Sequence, residues 1–201
     1  EVAAALDAGE NINQGSANGV TPLIRAAEPA ADLTILQLLI DRGADINARD
    51  IGGQTAMHRA VTRGVDTLAC VQLLVNAGAS VNIGDNRNAT PLSLAISAGC
   101  DEAVTFLQNN GSDLQPEEGL ATPLHFAARY SPKWIPELLK QGANPNAYDD
   151  KKRTPVFWAM WGKDSKDMEL AIRLLVEAGA DINWKNSTKE TPLIVALKDV
   201  T

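Results

Sequence analysis

The chain predicts an all-α fold: a solenoid of stacked helix-turn-helix units with projecting β-turn or hairpin loops. Two interleaved phrases and a run of punctuating glycines predict it. The first phrase begins at Thr21-Pro22-Leu23, Thr55-Ala56-Met57, Thr90-Pro91-Leu92, Thr122-Pro123-Leu124, Thr154-Pro155-Val156 and Thr191-Pro192-Leu193, at steps of 34, 35, 32, 32 and 37 residues. The second runs Leu38 to Asn47, is echoed at 73–82 and 174–183, and returns more loosely at 106–115 and 138–146. A fixed period in the thirties marks one supersecondary unit that buries its apolar face only against copies of itself.

Each residue type has a physical task. Thr caps a helix N-terminus, and Pro after it fits because the first helical N–H has no internal partner. Small pairs such as Ala26-Ala27 and Ala127-Ala128 allow close helix approach. Gly64 and Gly99 suit the end of a first helix, and Gly43, Gly78, Gly111, Gly142 and Gly179 the end of a second. Asp50 to Gly53 and Asp85 to Asn88 read as turns in which Asp bonds its own backbone. Helices are therefore expected at 22–28, 32–41, 56–63, 67–76, 91–97, 101–109, 123–129, 133–140, 155–161, 167–177 and 192–198.

In order, residues 1–15 read as the second half of a repeat. Full units follow at 16–48, 49–83, 84–115, 116–147 and 148–184, and 185–201 begin another. The units differ in their insertions: around Glu28 to Ala31, around Val65 to Thr67, and at the polar stretch Gly162 to Asp167. Pro132 and Pro136 are expected before or within the first turn of a second helix. Thr191 to Leu197 is apolar where a terminal repeat needs a polar face, so the natural protein is expected to continue.

Thr122-Pro123-Leu124-His125-Phe126-Ala127-Ala128, its copies and their period resemble the ankyrin-repeat family over nearly the whole chain. The resemblance implies a non-enzymatic protein–protein interaction module, probing another protein through its concave groove as a monomer, with no cofactor and no metal. It implies a cytoplasmic setting, the host cytosol in the case of a secreted effector. The alternative is a scaffold or regulatory domain of a larger enzyme, channel or effector whose active part lies outside these residues.

Composition narrows the classes. A net charge of −7 argues against duplex nucleic acid. No run approaches the ~18 apolar residues of a membrane span, so no membrane insertion is expected. Two cysteines do not make a disulfide framework; Cys70 falls at a core place, and Cys100 beside Gly99 in a loop. No phosphate loop, Cys-x-x-Cys, His-Glu-x-x-His or nucleophile elbow is present. His58 and His125 hold equivalent places two repeats apart, on the order of 20 Å, too far to share a metal or a proton. Both read as structural histidines bonding backbone near a turn. Lys151-Lys152-Arg153 is the only cluster that could address a phosphate, and Asp149-Asp150 and Glu117-Glu118 read as solvated turn tips.

Charge and aromatics are unevenly distributed. The sequence carries −9 through Leu120 and +2 from Ala121 onward. Of nine aromatic residues only Phe106 precedes Leu120. Phe126, Trp134 and Trp158 read as core, the first and last in a column that holds Arg25 and Arg59 in earlier units. Those two guanidiniums must snorkel or pair. Tyr130, Tyr148 and Trp161 have no core place and read either as scattered surface aromatics or as an interface. Framed by Arg129, Lys151, Arg153 and Lys185, they are the expected partner-binding residues. Arg63 marks a competing site in the N-terminal repeats.

Overall fold

The computed structural model describes residues 7–29, 31–115 and 117–198. The chain divides into two compact units, residues 1–112 and 113–201. Among the described residues every regular element is helical.

The first unit contains α1 (Pro22–Ala26), α2 (Leu33–Asp41), α3 (Ala56–Val61), α4 (Thr67–Asn76), α5 (Pro91–Ala98) and α6 (Asp101–Asn109). Each first helix packs on the next, α1 on α3 on α5, and each second helix likewise, α2 on α4 on α6. The core lies between the two rows, where Leu23, Leu36, Leu39, Met57, Leu74, Leu92, Ile96 and Leu107 are at most 1% exposed. Ala27, Ala60 and Ala95 are fully buried, so the small side chains sit where helices meet.

The second unit repeats this plan with α7 (Pro123–Tyr130), α8 (Ile135–Lys140), α9 (Pro155–Ala159), α10 (Ser165–Glu177) and α11 (Pro192–Lys198). Leu124, Ala127, Ala128, Ile135, Leu138, Phe157 and Leu175 form its core. Pro132 opens a 3-10 turn over Pro132–Trp134, and Pro136 stands in the first turn of α8, where neither costs a backbone bond.

The expected helices all form, with shifted ends. α9 stops at Ala159 rather than 161, and α10 starts at Ser165 because Asp164 caps it, accepting the Asp167 N–H at 2.8 Å. Thr21 and Thr90 accept the N–H three residues on, each at 3.3 Å. At α3 and α7 a buried His completes the cap. Nδ1 of His58 accepts the Thr55 N–H at 3.1 Å, and Nδ1 of His125 the Thr122 N–H at 3.0 Å. A backbone N–H only donates, so both rings carry their proton on Nε2. These protons go to Ala89 O at 3.1 Å and Arg153 O at 2.9 Å, tying each cap to a following turn. Burial holds His125 down to about 4, and His58 is lowered for the same reason.

The projecting turns share one device. Asp50, Asp85, Asp149 and Asn186 each accept two N–H groups, from the second and fourth residues on, at 2.8–3.0 Å. The residue between those donors is left-handed: Gly53, Asn88, Lys152 and Lys189 have φ of 75°, 60°, 55° and 63°. At Gly53 the need for glycine is also steric, since a Cβ would fall 2.4 Å from Asn86 Oδ1 and 2.8 Å from Asn86 N. Successive tips are laced together by Ile51 N–H to Asn18 O, Asn86 N–H to Gly52 O and, in the second unit, Ser187 N–H to Lys151 O.

Three core assignments change. Phe126 and Trp158 are half-buried, like Leu94 in the same column, because that column faces outward beside the turns, and Trp134 in the 3-10 turn is half-buried as well. That opening is why Arg25 and Arg59 fit it: Arg25 pairs with Glu28 and Arg59 with Asp50, both at 2.9 Å. Asp149 is not a solvated tip either. It is 2% exposed, because its carboxylate turns inward to its own loop, while Asp150 stays in solvent.

Candidate partner-binding surface

Tyr130 is presented at the end of α7 because Pro132 disfavours helix at Ser131, which adopts φ −155° and ψ 71°. Trp161 follows α9 in a single tight turn, its N–H donating to Trp158 O at 3.1 Å. Gly162 makes that turn compact, for a Cβ there would lie 3.1 Å from Ala159 O and 3.7 Å from Arg129 O. The ends of α7 and α9 are therefore neighbours.

Between them runs a line of rings and guanidiniums. The Arg129 Cζ lies 5.0 Å from the Tyr130 ring centre. Tyr130 is 6.2 Å from Phe126, and Phe126 is 5.1 Å from Trp158. The Arg153 Cζ sits 5.8 Å from Trp158 and 5.4 Å from Trp161. His125 packs edge-on against Trp158 at 5.5 Å. Phe126, Arg129, Tyr130, Arg153, Trp158 and Trp161 are all half-exposed.

Asp149 fixes the far end of this line. Oδ2 accepts Arg153 Nε–H at 2.7 Å and Trp158 Nε1–H at 3.0 Å, and lies 2.6 Å from Arg153 Nη2. Burial alone would raise this carboxyl, but the bonds from Arg153 and Trp158 outweigh it and hold the group below its usual range. Arg153 is thus a fixed cation already matched to an anion.

The sequence-predicted residues fall into separate groups. Arg129, Tyr130, Arg153 and Trp161 come together, joined by Phe126 and Trp158. Tyr148 belongs elsewhere: it stacks on Trp184 at 5.8 Å and donates its O–H to Glu118 Oε1 at 2.5 Å. That bond raises the phenol, with burial adding to it. Tyr148 lines a cavity of about 240 Å³ with Gln115, Glu118, Asn144 and Asn146. Lys151 and Lys185 are exposed, and their ammonium groups make no ion pair among the described residues. Phe126 and Trp158 escape sequence reading because large apolar side chains in that column read as core; Arg25 and Arg59 in the same column are the signal that it opens.

Arg63, the competing N-terminal candidate, is a buried clamp, 6% exposed. It donates to the carbonyls of Val65 at 3.0 Å and Glu28 at 2.8 Å, and to those of Ala26 and Ala31. It holds the insertion after α1 and has little surface to offer a partner. Cys70 beneath it is fully buried, and burial pushes its thiol up to about 11.

A family model described as ankyrin repeats (3 copies) matches residues 23–118, 67–149 and 124–199. The chain is an ankyrin-repeat protein. The B-cell lymphoma 3 protein homolog of Mus musculus is 30% identical over 167 residues, 81% of this array. The array spans only 36% of that relative's length. Among solved structures, the human ASB11 ankyrin repeat domain superposes with a TM-score of 0.75 at 25% identity, covering 96% of this array and 85% of that chain. The ankyrin repeat domain of Bcl-3, described as a unique member of the IkappaB protein family, gives 0.68 at 26% identity with the same coverages. Among the described residues of the array no helix is long and apolar enough to cross a membrane. Nor, among those described residues, does any group of three or more His, Cys, Asp or Glu stand ready to hold a metal.

Proposed function

We propose that this ankyrin array is a non-enzymatic interaction module that binds a protein segment on the first-helix face of its second unit, the face that lines the concave groove in the family. The observation that carries the reading is the half-exposed line Arg129, Tyr130, Phe126, Trp158, Arg153, Trp161. Tyr, Trp and Arg supply most of the energy at interfaces, through large contact area and few rotamers. Here the rings are held by one another and by Asp149, so little ordering remains to oppose binding. Ankyrin arrays serve as protein–protein interaction modules, and the Bcl-3 and ASB11 domains share this fold. The turn tips with Tyr148, Lys151 and Lys185 would form the rim of the same contact.

Affinity capture with the whole chain, compared with Trp161→Ala, tests this. A partner captured by the wild type should bind Trp161→Ala more weakly by about 1–2 kcal/mol, with the helical circular dichroism unchanged. Equal affinity for both proteins would remove the surface from consideration.

A further inference from the structure

We infer that this face takes an acidic peptide segment, one carboxylate seated on Arg129 two or three residues from an apolar side chain seated on Phe126, Trp158 and Trp161. The inference rests on the protein-binding reading above and assigns the partner's chemistry.

Most arginines of these repeats are already matched. Along the first-helix faces, Arg25 is paired with Glu28 and Arg59 with Asp50, each at 2.9 Å, and Arg153 with Asp149 at 2.6 Å. Arg63 is spent on four backbone carbonyls. Arg129 differs from all of them. It makes no ion pair among the described residues; its buried Nε, like that of Arg59, has no hydrogen-bond partner there, but Arg59 is matched through Nη2 and Arg129 is not. A guanidinium keeps its charge at any ordinary pH, and its planar fork matches a carboxylate with two parallel N–H···O bonds. The Tyr130 ring, 5.0 Å from its Cζ, steadies the group at the edge of the aromatic line.

Spacing sets the rest. The backbone of Arg129 approaches Gly162, next to Trp161, and packed helices stand roughly 8–10 Å apart. An extended chain advances about 3.3 Å per residue, so two or three residues cover that step. Apolar anchorage falls on the rings because Arg153, their other neighbour, is neutralised by Asp149. A single-stranded nucleic acid also stacks on aromatics, but it needs a row of cations tracking its phosphates. This face offers one unmatched guanidinium, Arg129, with the other, Arg153, already held by Asp149 and Asp150, on a chain of net charge −7.

A random dodecamer peptide library selected on the whole chain provides the test, run on wild type, Arg129→Gln, Lys185→Gln and Trp161→Ala, each checked by circular dichroism. Wild type should enrich Asp or Glu two or three positions from Leu, Ile or Phe. The best peptide, resynthesised with Asn or Gln in place of that acid, should bind at least about tenfold more weakly. Arg129→Gln should bind the acid and amide peptides within about twofold of each other, while Lys185→Gln keeps the discrimination. No acidic enrichment, or full discrimination by Arg129→Gln, overturns the inference while leaving the aromatic surface standing. Unchanged binding by Trp161→Ala overturns that surface itself. Displacement of the peptide by a twelve-nucleotide oligothymidylate would assign the face to nucleic acid and overturn the inference as well.

Discussion

The first unit fills its outward column with two paired arginines and Leu94, and the second fills it with rings. Arg25 with Glu28 and Arg59 with Asp50 are self-contained, each charge answered within its own repeat. Phe126 and Trp158 answer one another at 5.1 Å and leave ring faces and edges half-exposed. The helices, caps and turns beneath are the same in kind. The scaffold therefore fixes the caps, turns and core, and a column the fold leaves open is where binding chemistry can be written.

The largest effect should come from the buried leucine after Thr-Pro that the two units share, Leu23 and Leu92 in the first and Leu124 in the second. Leu124 is fully buried, and Leu193, its equivalent in α11, is 67% exposed. Leu124→Ala should lower the unfolding free energy by roughly 2–5 kcal/mol, through lost contact and the cavity left behind. Leu193→Ala should change it by less than about 0.5 kcal/mol. Urea titration of both variants checks this; a small effect at Leu124 would break the repeat alignment on which the comparison depends.

Next in size is the response to acid. The His125 ring is held down to about 4, against an ordinary 6.5, so the unfolded chain binds the proton more readily than the fold does. Stability from this group is complete above about pH 6.5 and falls as pH drops toward 4, by about 3 kcal/mol in all and about 2 kcal/mol by pH 5. His58 is shifted in the same direction. Replacing His125 by Gln should flatten the loss of urea midpoint between pH 7 and 5. An unaltered slope would mean that some other group carries the acid sensitivity.

Most of the scaffold was legible in the sequence because each signal is local. Thr-Pro, the paired alanines and the glycine after each second helix act within one turn of backbone. What was hidden depends on which way a side chain faces once repeats stack. Asp149 looked like any turn aspartate, yet only the placement of Arg153 and Trp158 around it makes it the buried anchor of the surface. Phe126 and Trp158 looked like core because they are large and apolar. Position in the repeat, with no core place, groups Tyr148 with Tyr130 and Trp161, although its stacking partner is Trp184, which lies a repeat further on.

The smallest expected effect separates the two kinds of closure directly. Arg25 is mostly solvent-exposed, and Arg25→Leu should shift stability by less than about 0.5 kcal/mol, since an exposed pair gains little over water. Arg59 pairs with an Asp50 side chain that is only 6% exposed, so its loss strips one oxygen of its charged partner. The other oxygen of Asp50 still accepts the Gly52 and Gln54 N–H groups at 2.8 and 2.9 Å, which limits the cost. Arg59→Leu should therefore destabilise by about 1 kcal/mol, and Arg59→Leu combined with Asp50→Asn by less than the two changes summed. Strict additivity would show that the pair is incidental and that the column tolerates arginine merely because it is open. A shortfall would show that Arg59 is bound to its turn, leaving the second unit as the place where the column faces outward for a partner.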